Sequence, residues 1–258
     1  MVTGANHGIG RETAGLLARH NASVLVAYLR TDADANYPAA YRENRRLDGR
    51  EVAQAINDGG GKACAVEADL LAPDAIPMLF DVAERELGPV EILVNNATGH
   101  CAHDSFAGVE AIGKAVADPV TAEIFDKTFG VDARAGALMI AEFARRHLAR
   151  AGRWGRIVSL TSGGPMGFPG EVTYGAAKAA LENYTMAASV ELGRQGITAN
   201  VVYPPVTDTG WVTDEVREFV AQSGDHIHVA DPSDVARVIA WLCSDDARMV
   251  TGNIIRLR

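Results

Sequence analysis

Six short apolar runs, each separated from the next by a longer segment with helical patterning, restrict the fold of this chain more than any other feature. They are Ser23–Leu29 (SVLVAYL), Lys62–Ala68, Val90–Val94, Arg156–Leu160 (RIVSL), Ile197–Val202 and Val250–Leu257. Each is too short for a helix and rich in branched aliphatics, as buried strands are. The segments between them carry the other period. Ile9, Thr13, Leu16, Leu17 and His20 share one stripe, and helices are expected over Glu51–Asn57, Pro73–Leu87, Thr121–Arg150, Glu171–Gly193 and Asp231–Cys243. In Thr121–Arg150 the apolar Ile124, Phe125, Phe129, Leu138, Met139 and Phe143 are expected to face inward. Strand alternating with helix predicts an α/β fold: a Rossmann-type, doubly wound parallel sheet in three α/β/α layers. At 258 residues, 48% of them hydrophobic, the chain suits a single domain over 1–258. Only Met1 and Val2 precede the first turn, where a central strand has about 5 residues. The first strand is therefore expected to be truncated, or the start placed late.

The turn after that strand, Thr3-Gly4-Ala5-Asn6-His7-Gly8-Ile9-Gly10, opens the first helix. Glycines let a backbone approach a pyrophosphate, and a helix N-terminus offers free N–H groups and positive charge. Ligands of such sheets lie beyond the carboxyl ends of the strands. The glycine turn, Asp69, Asn95-Asn96, Thr161-Ser162 and Pro204 all follow strands, so they are expected along one edge. On the helix after the fifth run, Tyr174 and Lys178 are four residues apart and share a face. A phenol titrates near ~10, and work near neutrality requires a fall of about 3 units, roughly 4 kcal/mol. A neighbouring ammonium supplies an effect of that kind.

The formal charge of −9 argues against nucleic acid and anionic membranes as partners. No apolar run approaches the ~20 residues of a membrane span, and no basic, then apolar, leader opens the chain. Cys64, Cys101 and Cys243 are odd in number and far apart, so neither a disulfide framework nor a metal site is expected. Reduced thiols fit a cytoplasmic protein. His103, His226 and His228 are expected as solvated loop residues and not as metal ligands. Residues 31–50, polar and broken by Pro38, read as a surface insertion, or else a subunit contact or a lip over the adenine end of a nucleotide. Residues 98–120 and 203–230 read as loops lining the substrate, with Phe106, Met166, Phe168, Trp211 and Phe219 as an apolar wall.

These marks, taken in order, resemble the short-chain dehydrogenases/reductases, in the branch that includes 3-oxoacyl-(acyl carrier protein) reductases. The resemblance covers the whole chain and rests on the Thr3–Gly10 turn, Asp69-Leu70, Asn95-Asn96-Ala97, Tyr174-xxx-Lys178 and the proline-led turn ending at Thr209. It implies a ketone/secondary-alcohol oxidoreductase using NADP or NAD, assembled as a homodimer or homotetramer. Gly4, Gly8, Ile9 and Gly10 would hold the pyrophosphate, with Asn6 and His7 also binding the cofactor. Asp69 and Leu70 would hold the adenine, and Asn96 and Ala97 would lie beside a ribose. Pro204, Val206 and Thr209 would touch the nicotinamide. Tyr174 would act as general acid/base, with Lys178 lowering its pKa and binding ribose hydroxyls. Ser162 or Thr161 would polarise the carbonyl: strand alignment selects Ser162, and counting back from Tyr174 selects Thr161. Asp132 stands where the family has an Asn that orders a relay water. Pro205 replaces the family's Gly, and the C-terminus lacks its Gly-rich ending. No acid ends the second strand, where Tyr28 stands. Arg30, helped by His7, is placed to meet a 2′-phosphate, against the opposing charges of Asp32 and Asp34. NADP is therefore preferred over NAD. The alternative function is a catalytically impaired cofactor-binding protein acting as a sensor or partner subunit.

Overall fold

The apolar runs pair edge to edge in one parallel sheet. The structure is a computed structural model that describes residues 1–32, 37–100, 103–109, 116–164 and 166–258; Asp34 and Cys101 lie outside the described residues. The strands are β1 (Val2–Thr3), β2 (Ser23–Tyr28), β3 (Lys62–Glu67), β4 (Ile92–Asn95), β5 (Asp104–Ser105), β6 (Asp118–Pro119), β7 (Gly155–Leu160), β8 (Ile197–Tyr203) and β9 (Ile254–Arg256). Among the described residues the main sheet has seven strands in the order β3-β2-β1-β4-β7-β8-β9, and β5 and β6 pair separately. The order reverses between β1 and β4, which opens a crevice at their carboxyl ends.

The helices are α1 (Gly8–Arg19), α2 (Ala39–Arg45), α3 (Gly49–Asp58), α4 (Ala75–Glu86), α5 (Ala122–Phe129), α6 (Gly136–Ala149), α7 (Val172–Leu192), α8 (Asp214–Gln222) and α9 (Pro232–Leu242). Two apolar cores sandwich the sheet. Leu17, Val52, Ile56, Ile239 and Leu242 bring α1, α3 and α9 onto one face. Phe80, Met139, Phe143 and Leu192 bring α4, α6 and α7 onto the other.

The central strand has two residues, and side chains extend its bonding. Val2 pairs with both Val26 and Val94. The Thr3 hydroxyl accepts from the N–H groups of Asn96 and Ala97, both at 3.0 Å. The Asn96 amide donates back to the carbonyls of Thr3 and Gly4 at 2.9 and 3.0 Å. The turn after β1 and the turn after β4 are thereby locked together, and buried backbone groups that a longer strand would satisfy find partners.

Four expectations change. The helix expected over Thr121–Arg150 is three pieces: α5, a π-helical turn at Gly130–Ala135, and α6. A π turn inserts a residue and shifts the phase of the apolar stripe. Phe125 and Leu138 are consequently exposed and not inward. Residues 203–230 carry α8, capped by Thr213, and a bridge from Thr207 to Ala230. The described part of 31–50 is no loose surface insertion. It carries α2, buries Tyr41, and is pinned to the molecule by Asn6 donating to the Leu47 carbonyl (2.9 Å) and Asn44 donating to the Thr209 carbonyl (2.9 Å). The last strand is shorter than expected and pairs with Val201–Tyr203. No helix among the described residues is long and apolar enough to cross a membrane.

Gly196 joins α7 to β8 at φ +78°, and a Cβ there would lie 2.0 Å from the Arg153 carbonyl oxygen. Gly196→Ala should cost about 1–3 kcal/mol through strain and overpacking. At ~2–4 °C per kcal/mol for a chain of this size, a thermal melt should fall by several degrees. A melt superimposable on the wild type would refute this account of the turn.

Candidate functional site

A cavity of about 840 Å³ opens at the carboxyl ends of the strands. Gly4, Asn6, His7, Gly8, Ile9, Asp69, Leu70, Asn96, Ala97, Thr161, Ser162, Tyr174, Lys178, Pro204, Val206 and Thr209 all border it; Gly10, Arg30 and Asp132 do not. Gly4 and Gly8 take positive φ, +62° and +56°. His7 gives α1 no side-chain cap, and the first turn holds no acid. The first N–H groups of α1 and its positive end therefore stand uncompensated at the cavity wall, as an anion requires. A Cβ on Gly8 would come within 2.8 Å of the Thr209 methyl. The backbone here thus forms a cradle of the kind an anionic group fits. Gly10 stands behind that cradle: its Cβ would meet the Gly4 carbonyl at 2.3 Å, so it lets α1 pack against the turn.

The end of the cavity beyond β2 differs from expectation. Arg30 turns away from it, forming an ion pair with Glu67 at 2.7 Å and lying 3.8 Å from Asp48. The Tyr28 hydroxyl donates to Asp48 at 2.6 Å. The arginine that borders the cavity is Arg45, delivered by α2. Its guanidinium donates to the Thr31 hydroxyl (3.0 Å) and the Tyr41 hydroxyl (3.2 Å). Among the described residues no carboxylate neutralises it. Burial, with the Arg45 charge, pushes His7 down to about 4, so at neutral pH His7 offers hydrogen bonds but no positive charge.

At the opposite end Ser162 and Tyr174 both border the cavity, and Ser162 opposes the rise in the Tyr174 pKa. Thr161 is buried and its hydroxyl is taken by Glu182 at 2.6 Å, whereas that of Ser162 is not. Lys178 lies 5.5 Å from the Tyr174 ring centre. It does not act alone. Asp132, carried by the π turn, forms an ion pair with it at 2.8 Å, both side chains almost wholly buried. The other Asp132 oxygen accepts from the Gly99 N–H (2.8 Å) and the Thr98 hydroxyl (3.2 Å). Tyr174 consequently titrates well above the usual phenol range: burial and the charge of Asp132 raise it, then Glu171 and Tyr41, against the Ser162 bond. Asp132 thus opposes the lowering by Lys178 that spacing alone suggests.

Residues that no spacing rule singles out complete the wall: Tyr37, Tyr41 and Arg45 from 31–50, His100 after β4, and Glu171 ahead of α7. His103 is no solvated loop residue. It and His100 face Glu171 at 2.9 and 3.3 Å, and the His100 ring packs edge-on to Tyr174 at 4.8 Å. Burial raises the Glu171 carboxyl, but the two imidazoles outweigh it and hold it near about 2. His226 borders the cavity and packs on Phe219, whereas His228 is exposed. Of the expected apolar wall, Phe168 and Trp211 border the cavity; Phe106, Met166 and Phe219 are exposed outside it.

Known proteins share this layout. The sequence model of the family described as Enoyl-(Acyl carrier protein) reductase matches residues 4–257. Trihydroxynaphthalene reductase of Colletotrichum orbiculare is 30% identical, with 99% of this chain and 86% of that one covered. Cis-4-hydroxycyclohexanecarboxylate dehydrogenase of Sinomonas cyclohexanicum is 32% identical over 99% and 92% of the two chains. The crystal structure of the angucycline C-6 ketoreductase LanV with bound NADP superposes with a TM-score of 0.79 at 33% identity, covering 99% of this chain and 91% of that one.

If Asp132 holds Tyr174 in its protonated form, Asp132→Asn should lower the pH at which Tyr174 ionises, read from ultraviolet titration with Tyr174→Phe as the blank. An unchanged titration would show that Asp132 does not govern the phenol. Asp132→Ala, which leaves a buried ammonium without a counter-charge, should also cost about 3–5 kcal/mol of stability.

Proposed function

The chain belongs to the short-chain dehydrogenase/reductase family of oxidoreductases, and from that premise we propose that it is an NADP(H)-dependent ketoreductase acting on a ring ketone. One observation carries the reading: Ser162, Tyr174 and Lys178 converge at one end of a cavity whose other end is the glycine cradle. When bound, the nicotinamide supplies hydride chemistry. The chain does the rest. Gly4, Asn6, His7, Gly8 and Ile9 would hold the pyrophosphate, and Asp69 and Leu70 would flank the adenine. Asn96 and Ala97 would lie beside a ribose, with Pro204, Val206 and Thr209 at the nicotinamide. Lys178 would bind ribose hydroxyls while Asp132 fixes its position. Ser162 donates to the carbonyl oxygen, and Tyr174 protonates it as negative charge develops there. A phenol held above its usual range keeps its proton at neutral pH, which suits reduction over oxidation.

Phe168, Tyr203, Val206 and Trp211 present apolar faces to the cavity. Flat apolar walls accept a ring system, and relatives named for hydroxynaphthalene, cyclohexane and angucycline substrates support the same class. A 3-oxoacyl thioester is the competing substrate. A second reading, cofactor binding without turnover, is favoured by the Lys178–Asp132 pair, which removes the usual means of ionising Tyr174. Exposed Phe125, Leu138 and Leu148 on α5–α6, with Tyr184 and Val190 on α7, support assembly as a homodimer or homotetramer.

The deciding assay follows NADPH oxidation with 2-tetralone and, separately, acetoacetyl-coenzyme A. The expected kcat/KM is at least tenfold higher for the ring ketone, with Tyr174→Phe lowering it by about 10²-fold or more. Preference for the thioester would overturn the substrate class, and tight NADPH binding without turnover of either would favour the second reading.

Arg45, not Arg30, is proposed to meet the 2′-phosphate. A charge-assisted bond is worth about 1.5–3 kcal/mol, so Arg45→Ala should raise KM for NADPH roughly 10- to 100-fold and leave KM for NADH nearly unchanged. Arg30→Ala should move both little. The reverse pattern would return the assignment to Arg30.

A further inference from the structure

The reading above leaves His100, His103 and Glu171 without a task. We propose that these three side chains bind a divalent first-row transition ion, of the Zn²⁺ class, at the wall of the cavity. Two imidazoles and one carboxylate are the donor set such ions select, whereas Mg²⁺ and Ca²⁺ prefer oxygen. One donor atom from each residue lies within 4.8 Å of the other two. His103 Nδ1 is 2.9 Å from one Glu171 oxygen and His100 Nε2 is 3.3 Å from the other. With metal–ligand bonds of ~2.0–2.1 Å, adjacent donors around an ion stand roughly 3.0–3.4 Å apart. Both imidazole–carboxylate edges are thus already of coordination length.

The nitrogens themselves point the same way. His100 Nε2 and His103 Nδ1 are buried, and each faces a Glu171 oxygen. An imidazole nitrogen set against a carboxylate must present a positive centre to it, its own proton or a bound cation, and the ion proposed here takes the proton's place. The outer shell is also in place. The Tyr37 hydroxyl lies 2.8 Å from His100 Nδ1, which leaves Nε2 as the ligating nitrogen, the arrangement that orients metal-bound histidines. Glu171 is held by the start of α7, where its carbonyl accepts from the Gly175 N–H at 2.9 Å. All three residues border the cavity, so an ion with three protein ligands keeps a position open to it.

The test uses the full chain, free of any affinity tag and stripped with a chelator. Co²⁺ is titrated in and followed by visible absorption, and Zn²⁺ uptake is measured by equilibrium dialysis. One ion per chain is expected, with at least tenfold weaker binding in His103→Gln and in Glu171→Gln. His228→Gln, which alters an exposed histidine away from the cluster, should bind as the wild type does. Circular dichroism establishes that each variant is folded, and the wild-type titration stands alone if one is not. Absence of Co²⁺ and Zn²⁺ uptake by the wild type overturns the site. So does uptake that survives both His103→Gln and Glu171→Gln.

Discussion

The candidate site depends on one buried ion pair. Lys178 and Asp132 meet at 2.8 Å with almost no solvent contact. Neither could be buried alone, because an unpaired charge there would cost several kcal/mol. Each anchors a different part of the fold. Lys178 belongs to α7, and Asp132 belongs to the π turn and holds the segment after β4 through Gly99 and Thr98. The pair therefore sets where Tyr174 stands relative to the sheet edge. It also sets what Tyr174 can do. At about 5 Å and an effective dielectric of ~20, a lone ammonium would favour the phenolate by roughly 3 kcal/mol. With a carboxylate in contact the pair presents a dipole, most of that field cancels, and burial decides the outcome.

Much of the architecture was legible because it follows from hydrophobic period alone. Runs such as Ser23–Leu29 and Ile197–Val202 can only be strands buried on both faces, and the segments between them can only be helices. Legibility ended where position depends on tertiary placement. Arg30 follows the right strand, yet Glu67 and Asp48 on neighbouring segments capture it first. Arg45 reaches the cavity only because Asn6 and Asn44 pin residues 31–50 over it. No local pattern encodes that pinning. The π turn was invisible for a related reason: a single helical wheel spans Thr121–Arg150 plausibly, and the inserted residue is betrayed only by Phe125 and Leu138 facing outward.

Spacing was similarly blind to charge balance. Tyr174 and Lys178, four residues apart, form an acid/base pair whose poise is set by a third residue more than forty positions upstream. Asp132 was legible as a departure that adds a negative charge near Lys178, but that the two touch was not. Spacing left Thr161 and Ser162 both open, and the contact that distinguishes them, Glu182 of α7 holding the Thr161 hydroxyl, comes from a distant part of the chain.

Residues 31–50 also connect the two ends of the cavity. His7 in the glycine turn packs on Tyr41 at 6.2 Å, Tyr41 on Tyr37 at 5.0 Å, Tyr37 on His100 at 6.1 Å, and His100 on Tyr174 at 4.8 Å. The segment that reads as a polar insertion thus supplies Tyr37 and Tyr41, whose rings lie between the glycine turn and His100 beside Tyr174.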